Sequence, residues 1–159
     1  MEKLSNIDDL DLKIITILLK NAKVPYKEIA KELKVSLGTI HVRIKKLESL
    51  KVIKGFTLEA DFFKLGYTIT AFIGLIIDGK IHEQVVAQLL EIEELVELHH
   101  TTGNYHMFAK IVCEDPKVLK EILLNKISNI SGVEKTETTI SLSEVASRPV
   151  SIMKSIKGS

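Results

Sequence analysis

The chain has 159 residues, 45% of them hydrophobic and 27% charged, a composition that suits a globular protein and excludes a disordered one. No apolar run approaches the roughly 18 residues of a membrane span, and a single cysteine, Cys113, excludes an internal disulfide. The net charge of +1 hides an asymmetry: residues 1–60 hold 12 basic and 8 acidic side chains, residues 61–159 hold 10 and 13, and residues 23–54 hold 9 and 3.

Neutralisation of phosphate depends on local basic density, so the first third of the chain suits DNA while the acidic remainder does something else. Two domains are expected: residues 1–60, a linker at 61–66, a second domain at 67–142 and a tail at 143–159. The first nine residues lack the charged-then-apolar order of a signal peptide. With the lone cysteine, this makes a cytoplasmic protein the expectation.

Asp8, Asp9 and Asp11 crowd the start of a first helix, where negative charge complements the dipole, and Leu10, Ile14, Ile17 and Leu18 carry it to about Asn21. Pro25 opens a second helix whose buried face is Ile29, Ala30 and Leu33. Ser36 caps a third, with Ile40, Ile44 and Leu47 inward at i, i+4 and i+7. Two helices joined by so tight a turn are the usual device for laying a helix in a DNA major groove. Residues 52–58, Val-Ile-Lys-Gly-Phe-Thr-Leu, are β-prone around Gly55 and predict a small hairpin or wing.

The period then changes. Residues 68–77 form a β-branched strand closed by Asp78-Gly79, and residues 82–90 have helical spacing through Val85, Val86, Leu89 and Leu90. Residues 96–102 and 105–113 are predicted strands around a turn at Gly103-Asn104. Pro116 opens a helix through Leu119, Ile122, Leu123 and Ile127, and residues 133–142 make the last strand. The order β-α-β-β-α-β is the split βαβ, ferredoxin-like arrangement. Its helices cover one sheet face; the other, expected to carry Phe72 with Leu98 or His100, needs a second copy as its cover, so a homodimer is predicted. Arg148-Pro149 breaks regular structure in the tail, which is read either as a short helix swapped onto a partner or as frayed chain.

Several stretches resemble the leucine- and asparagine-responsive (Lrp/AsnC, feast/famine) regulators: Ile29-Ala-Lys-Glu-Leu, Val35-Ser36, Arg43-Ile-Lys-Lys-Leu-Glu, Val52-Ile-Lys-Gly-Phe, Thr101-Thr-Gly-Asn-Tyr and Gly132-Val-Glu-Lys-Thr. The resemblance runs over about residues 4–145. It implies an α+β protein with an N-terminal winged helix-turn-helix and a regulatory ferredoxin-like βαββαβ domain that dimerises and assembles into octamers or spirals. It further implies promoter binding and sensing of an amino acid. Lys34 departs from the family by standing where many members have Gly. Asn104 and His106 depart as well, replacing the carboxylates of a frequent Gly-Asp-Tyr-Asp hairpin.

A helical wheel puts Gly38, Thr39, Val42, Arg43, Lys45 and Lys46 on the outward arc of the third helix. Arg43 is the candidate for bidentate contact with guanine, and Thr39 and Val42 for a thymine methyl. Ser36, Lys45 and Lys46 suit phosphates, flanked by Tyr26, Lys27 and Lys54. The effector is expected at His100, Thr101, Thr102, Gly103, Asn104, Tyr105 and His106, where the resemblance also places Thr136 and Thr138 nearby. Asn104 and His106 in place of carboxylates disfavour a purely cationic ligand, so a neutral polar amino acid such as glutamine is the expected ligand. His99, His100, His106 and Cys113 match no common zinc spacing, and no metal, cofactor or catalytic residue is expected. Two rivals stand beside the regulator: a sirohaem-decarboxylase-like enzyme of the same architecture, and a chromosome-organising protein that wraps DNA.

Overall fold

A computed structural model describes residues 6–152, which fall into two compact units: the segment up to Glu59 together with residues from Ala146 onward, and Ala60–Val145. The first unit has three helices: α1 (Asp9–Lys20), α2 (Tyr26–Leu33) and α3 (Leu37–Ser49). The α1 start is a capping box, in which the Asp11 amide donates to Asp8 Oδ1 at 3.0 Å and the Asp8 amide to Asp11 Oδ2 at 3.2 Å. Ile14, Leu18, Ile29, Ala30, Ile40 and Ile44 close the core between the helices.

Helix α2 ends at Lys34, whose φ of 56° and ψ of 43° lie in the left-handed region. The Val35 amide returns to the Ala30 carbonyl at 3.0 Å and closes the turn into α3. A side chain there costs about 1 kcal/mol that glycine avoids. Lys34→Gly is therefore expected to stabilise the first unit by roughly 0.5–1 kcal/mol, visible as a higher midpoint in urea at unchanged slope.

The predicted wing is not found. Residues 52–58 contain neither strand nor hairpin. The chain leaves α3 through a left-handed Lys51 (φ 55°), with the Val52 and Ile53 amides both bonded to the Leu47 carbonyl. β-Prone residues make a strand only beside another strand, and none lies there. Phe56, Leu58, Phe62, Phe63 and Leu65 are exposed instead. Residues 61–66, expected as a linker, form a turn of the second unit, closed by Tyr67 N–H to the Phe62 carbonyl.

The second unit has the predicted order: β1 (Ile69–Ile77), α4 (His82–Leu89), β2 (Leu95–His100), β3 (Met107–Cys113), α5 (Pro116–Glu121, continued by a π-helical turn Ile122–Ile127) and β4 (Val133–Ile140). The sheet order is β2-β3-β1-β4, antiparallel throughout. Alternate residues Ala71, Ile73, Leu75 and Ile77 of β1, with Met107, Ala109, Ile111 and Cys113 of β3, are buried against Val85, Leu89, Leu119, Ile122 and Ile127 of the helical layer. The opposite parity leaves Phe72, Ile76, Phe108 and Val112 half-buried on the open face. Leu98 and His100, expected on that face, are not there. They lie opposite Ala109 and Met107, on the helix-covered side, because an irregularity between Leu95 and Glu97 shifts the alternation.

Residues 143–152 form neither helix nor strand, and the rest of the predicted tail lies outside the described residues. No helix among the described residues is long and apolar enough to cross a membrane.

Candidate functional site

Ser36 fixes the start of α3: its Oγ accepts the Thr39 amide at 3.0 Å and lies 2.8 Å from Thr39 Oγ1. Both hydroxyls are therefore engaged locally, and Ser36 itself is exposed at the helix N-terminus, where backbone N–H groups favour an anion. Tyr26 opens α2 and is half-buried; its ring meets His41 of α3 edge-on, with centroids 5.1 Å apart. Lys27 and Lys54 are exposed.

The wheel placed Arg43 and Lys46 outward, and there the structure differs. Arg43 Nη1 bonds to Asp8 Oδ2 and lies 3.3 Å from Asp11 Oδ1, while Lys46 Nζ donates to Asp11 Oδ2 at 2.6 Å. Both cations lean onto the acidic first turn of α1. Asp8 is held below the usual carboxylate range by the Asp11 amide and then by Arg43, and Arg43 is pushed up by the same bond to Asp8. Periodicity fixed which side of α3 is apolar, but the flanks beside α1 could not be told from open solvent without the packing angle.

The side of α3 that stays open holds Gly38, His41, Val42 and Lys45, all exposed and spaced i, i+3, i+4, i+7. Val42 is 67% exposed, large and apolar on a helix that has no need of it for its core. Thr39 is half-buried between the two sides. His41, exposed on this side, was not among the residues that the helical wheel put outward. Its signal was its position, one residue before Val42 and four before Lys45.

In the second unit the Gly103-Asn104 signal produces a six-residue loop at 101–106 in place of a two-residue turn. Thr101 N–H donates to the His106 carbonyl at 3.1 Å and Thr101 Oγ1 to the Tyr105 carbonyl at 2.8 Å, and Gly103 has a φ of +104°. The Tyr105 ring lies flat on Gly74 of β1, where a Cβ would come within 2.6 Å of it, and its hydroxyl donates to Glu137 Oε2 at 2.6 Å. That bond raises the Tyr105 hydroxyl above its ordinary pKa. His106 turns back to β1: its Nδ1 sits 3.1 Å from the Ile77 nitrogen and 3.0 Å from the Ile77 oxygen, at the point where the β1–β4 register shifts.

Thr102, Gly103 and Asn104 are left exposed. Thr136 and Thr138 are not brought to Tyr105: they pair opposite Leu75 and Ile73, on the helix-covered face, whereas Glu137 pairs opposite Gly74 beneath the Tyr105 ring. Glu137 is thus a carboxylate at the loop that the sequence reading passed over, although strand parity alone put it one residue from each threonine. Cys113 is buried, and burial together with Glu114, Asp115 and Glu94 pushes its thiol up, which suits a packing role and not a reactive one.

Known proteins match both units. Residues 7–54 match the model of a winged helix-turn-helix DNA-binding domain, and residues 70–151 the model of the Lrp/AsnC ligand binding domain. The regulatory protein AsnC of Haemophilus influenzae is 44% identical over 86% of this chain and 92% of its own length. The solved structure of E. coli AsnC, 36% identical, covers 91% of this chain and 97% of that one with a TM-score of 0.85. A Neisseria meningitidis transcriptional regulator solved with L-Met shares the fold at 18% identity and a TM-score of 0.88, over 94% and 99% of the two chains. The curated relatives are regulators, not enzymes, which sets the decarboxylase reading aside. From its three helices to its covered sheet, the chain belongs to the Lrp/AsnC family of DNA-binding transcriptional regulators that carry a ligand-binding domain.

Proposed function

We propose that this regulator reads a two-fold-related operator in cytoplasmic DNA through Gly38, His41, Val42 and Lys45 of α3, and that a small amino acid tunes the reading. The observation that carries the proposal is that open face, presented by a Ser36-capped helix within a segment that has an excess of six positive charges. Val42 suits a thymine methyl, His41 and Lys45 suit the acceptor edge of guanine, and Ser36, Lys27 and Lys54 suit phosphates. Arg43 and Lys46 act here first as struts that hold α3 on α1, and only at their outer edges as phosphate contacts.

The open sheet face and the exposed Phe56, Leu58, Phe62, Phe63 and Leu65 favour a homodimer or a larger ring of dimers, which would set the spacing of two α3 helices. For the ligand, the exposed 102–104 backbone offers donors to a carboxylate, and Glu137 offers an acceptor to an ammonium group. Those two ends define an α-amino acid; a neutral polar side chain such as that of glutamine suits Asn104.

Selection of bound sites from random DNA, repeated with each of the twenty amino acids, tests the whole reading. A palindromic consensus whose affinity shifts with one or a few amino acids is the expected result. An unstructured consensus would sink the operator reading, and indifference to every amino acid at millimolar concentration would sink the sensor reading alone.

A further inference from the structure

On the helix-covered side of the second unit, the first residue of α4 meets the last residue of β2. The rings of His82 and His100 lie with centroids 4.6 Å apart and planes inclined by 32°, and His82 Nε2 is 3.2 Å from His100 Nδ1. His82 is half-buried and His100 exposed. Among the described residues neither is paired with a carboxylate, whereas His99, on the other face, is bonded to Glu97 at 3.4 Å.

Two imidazole nitrogens this close have two ways to coexist. One proton can lie between them as N–H···N, or one cation can take both lone pairs. With metal–nitrogen bonds of about 2.0–2.1 Å, a separation of 3.2 Å gives an N–metal–N angle of about 100°, between the roughly 90° of octahedral and the roughly 109° of tetrahedral coordination. Each ring is also held by a regular element, so little order has to be gained on binding.

We propose that His82 and His100 form a two-histidine site for a borderline divalent transition metal (Zn²⁺, Ni²⁺ or Cu²⁺), with water in the remaining positions. No group of three or more metal-binding side chains converges among the described residues, so the site is open and of moderate affinity. Imidazole ligands imply the order Cu²⁺ above Ni²⁺ and Zn²⁺ and no response to Mg²⁺. A bound ion would pin the start of α4 to the end of β2, beside the 101–106 loop.

The test is calorimetric titration of the full-length, chelator-treated protein with ZnCl₂, NiCl₂, CuSO₄ and MgCl₂, with thermal melts of the same samples. Wild type is expected to bind the three transition metals and melt higher with them. His82→Ala, His100→Ala and the double variant are each expected to lose at least tenfold in affinity to a similar degree, and His99→Ala to bind as wild type. The proposal fails on any of several outcomes: no binding by wild type at millimolar metal, retained affinity in the double variant, loss in only one of the two single variants, or an equal loss in His99→Ala. Should a variant fail to fold, the electron paramagnetic resonance spectrum of Cu²⁺ on the wild type decides: coupling to two imidazole nitrogens supports the site, and one or none overturns it.

Discussion

Val42→Glu is expected to weaken binding to a selected operator by about 100-fold or more while leaving the melting temperature within a degree or two of wild type. The folded state has little to lose at this position, since the side chain is 67% exposed and lies outside the core of the first unit. Glutamate is the better helix former, and it would sit three and four residues before Lys45 and Lys46, a favourable arrangement on a helix. In a groove the same carboxylate would lose the apolar contact, face the phosphates of both strands and remain unpaired against base acceptors. Effects of about 1–3 kcal/mol per lost contact, with charge repulsion added, bring the loss to the stated range. Gel-shift titration at fixed salt on the operator and on random DNA checks it. Undiminished operator affinity would show that another face of α3 does the reading. Arg43→Ala serves as the contrast: its guanidinium is bound to Asp8 and Asp11, so that variant should lower the melting temperature as well as the affinity.

Much of this was legible in the sequence, and the part that was not has physical causes. The helices of the first unit were visible because Ile14, Leu18, Ile29, Ile40, Ile44 and Leu47 repeat at helical period, with acidic residues at the start of α1 and Ser36 as the cap of α3. The βαββαβ order was visible because buried strands such as β1 have to be apolar along one full parity. Residues 52–58 are β-prone yet form no strand in the single chain for the opposite reason: β-propensity describes a residue's fit beside a neighbour, and no neighbour of these residues is encoded locally. The side of the sheet taken by Leu98 and His100 depended on an irregularity after Leu95 that shifts everything downstream by one residue. Arg43, expected to read bases, and Lys46, expected to grip phosphate, both looked free of the first unit because a wheel shows angle about one axis only. Where α1 crosses that axis is set by Ile14 and Leu18 packing on Ile40 and Ile44. At the 101–106 loop, residue type pointed to Thr101–His106 alone, while the carboxylate bonded to Tyr105, Glu137, came from a strand 31 residues beyond His106 and needed the β1–β4 register to be seen.

The second large effect is expected at Asp11. It is the buried charged residue of the first unit, wholly inaccessible, and its carboxylate receives the Asp8 amide, Arg43 and Lys46. Asp11→Ala removes one half of the capping box and leaves two cations facing a gap. Removing one partner of a buried pair typically costs about 3–5 kcal/mol because the other charge is stranded. Here the Arg43 and Lys46 side chains are 29% and 33% exposed and can turn to water, which brings the expectation down to about 2–3 kcal/mol. In a unit of this size that corresponds to roughly 10 °C or more in its unfolding midpoint. Asp11→Asn keeps an acceptor for the cap and should fall between the two.

Acid should act in the same direction through Asp8. Its folded pKa is depressed, by the Asp11 amide first and Arg43 second, so its contribution is complete above the unfolded value of about 3.9 and disappears as the pH falls through the lower folded one. Stability of the first unit should therefore decline below about pH 4, with a shallower decline in Asp8→Asn. Hydrogen exchange separates the units: protection should drop in α1 and α3 of Asp11→Ala and persist in β1 and β3. At a temperature where the variant is still folded, the released Arg43 and Lys46 should steepen the salt dependence of random-DNA binding by about one to two ions. An unchanged midpoint would show that Asp11 does not anchor α3. An unchanged salt slope alongside a lowered midpoint would show instead that the two cations serve only to hold the helix.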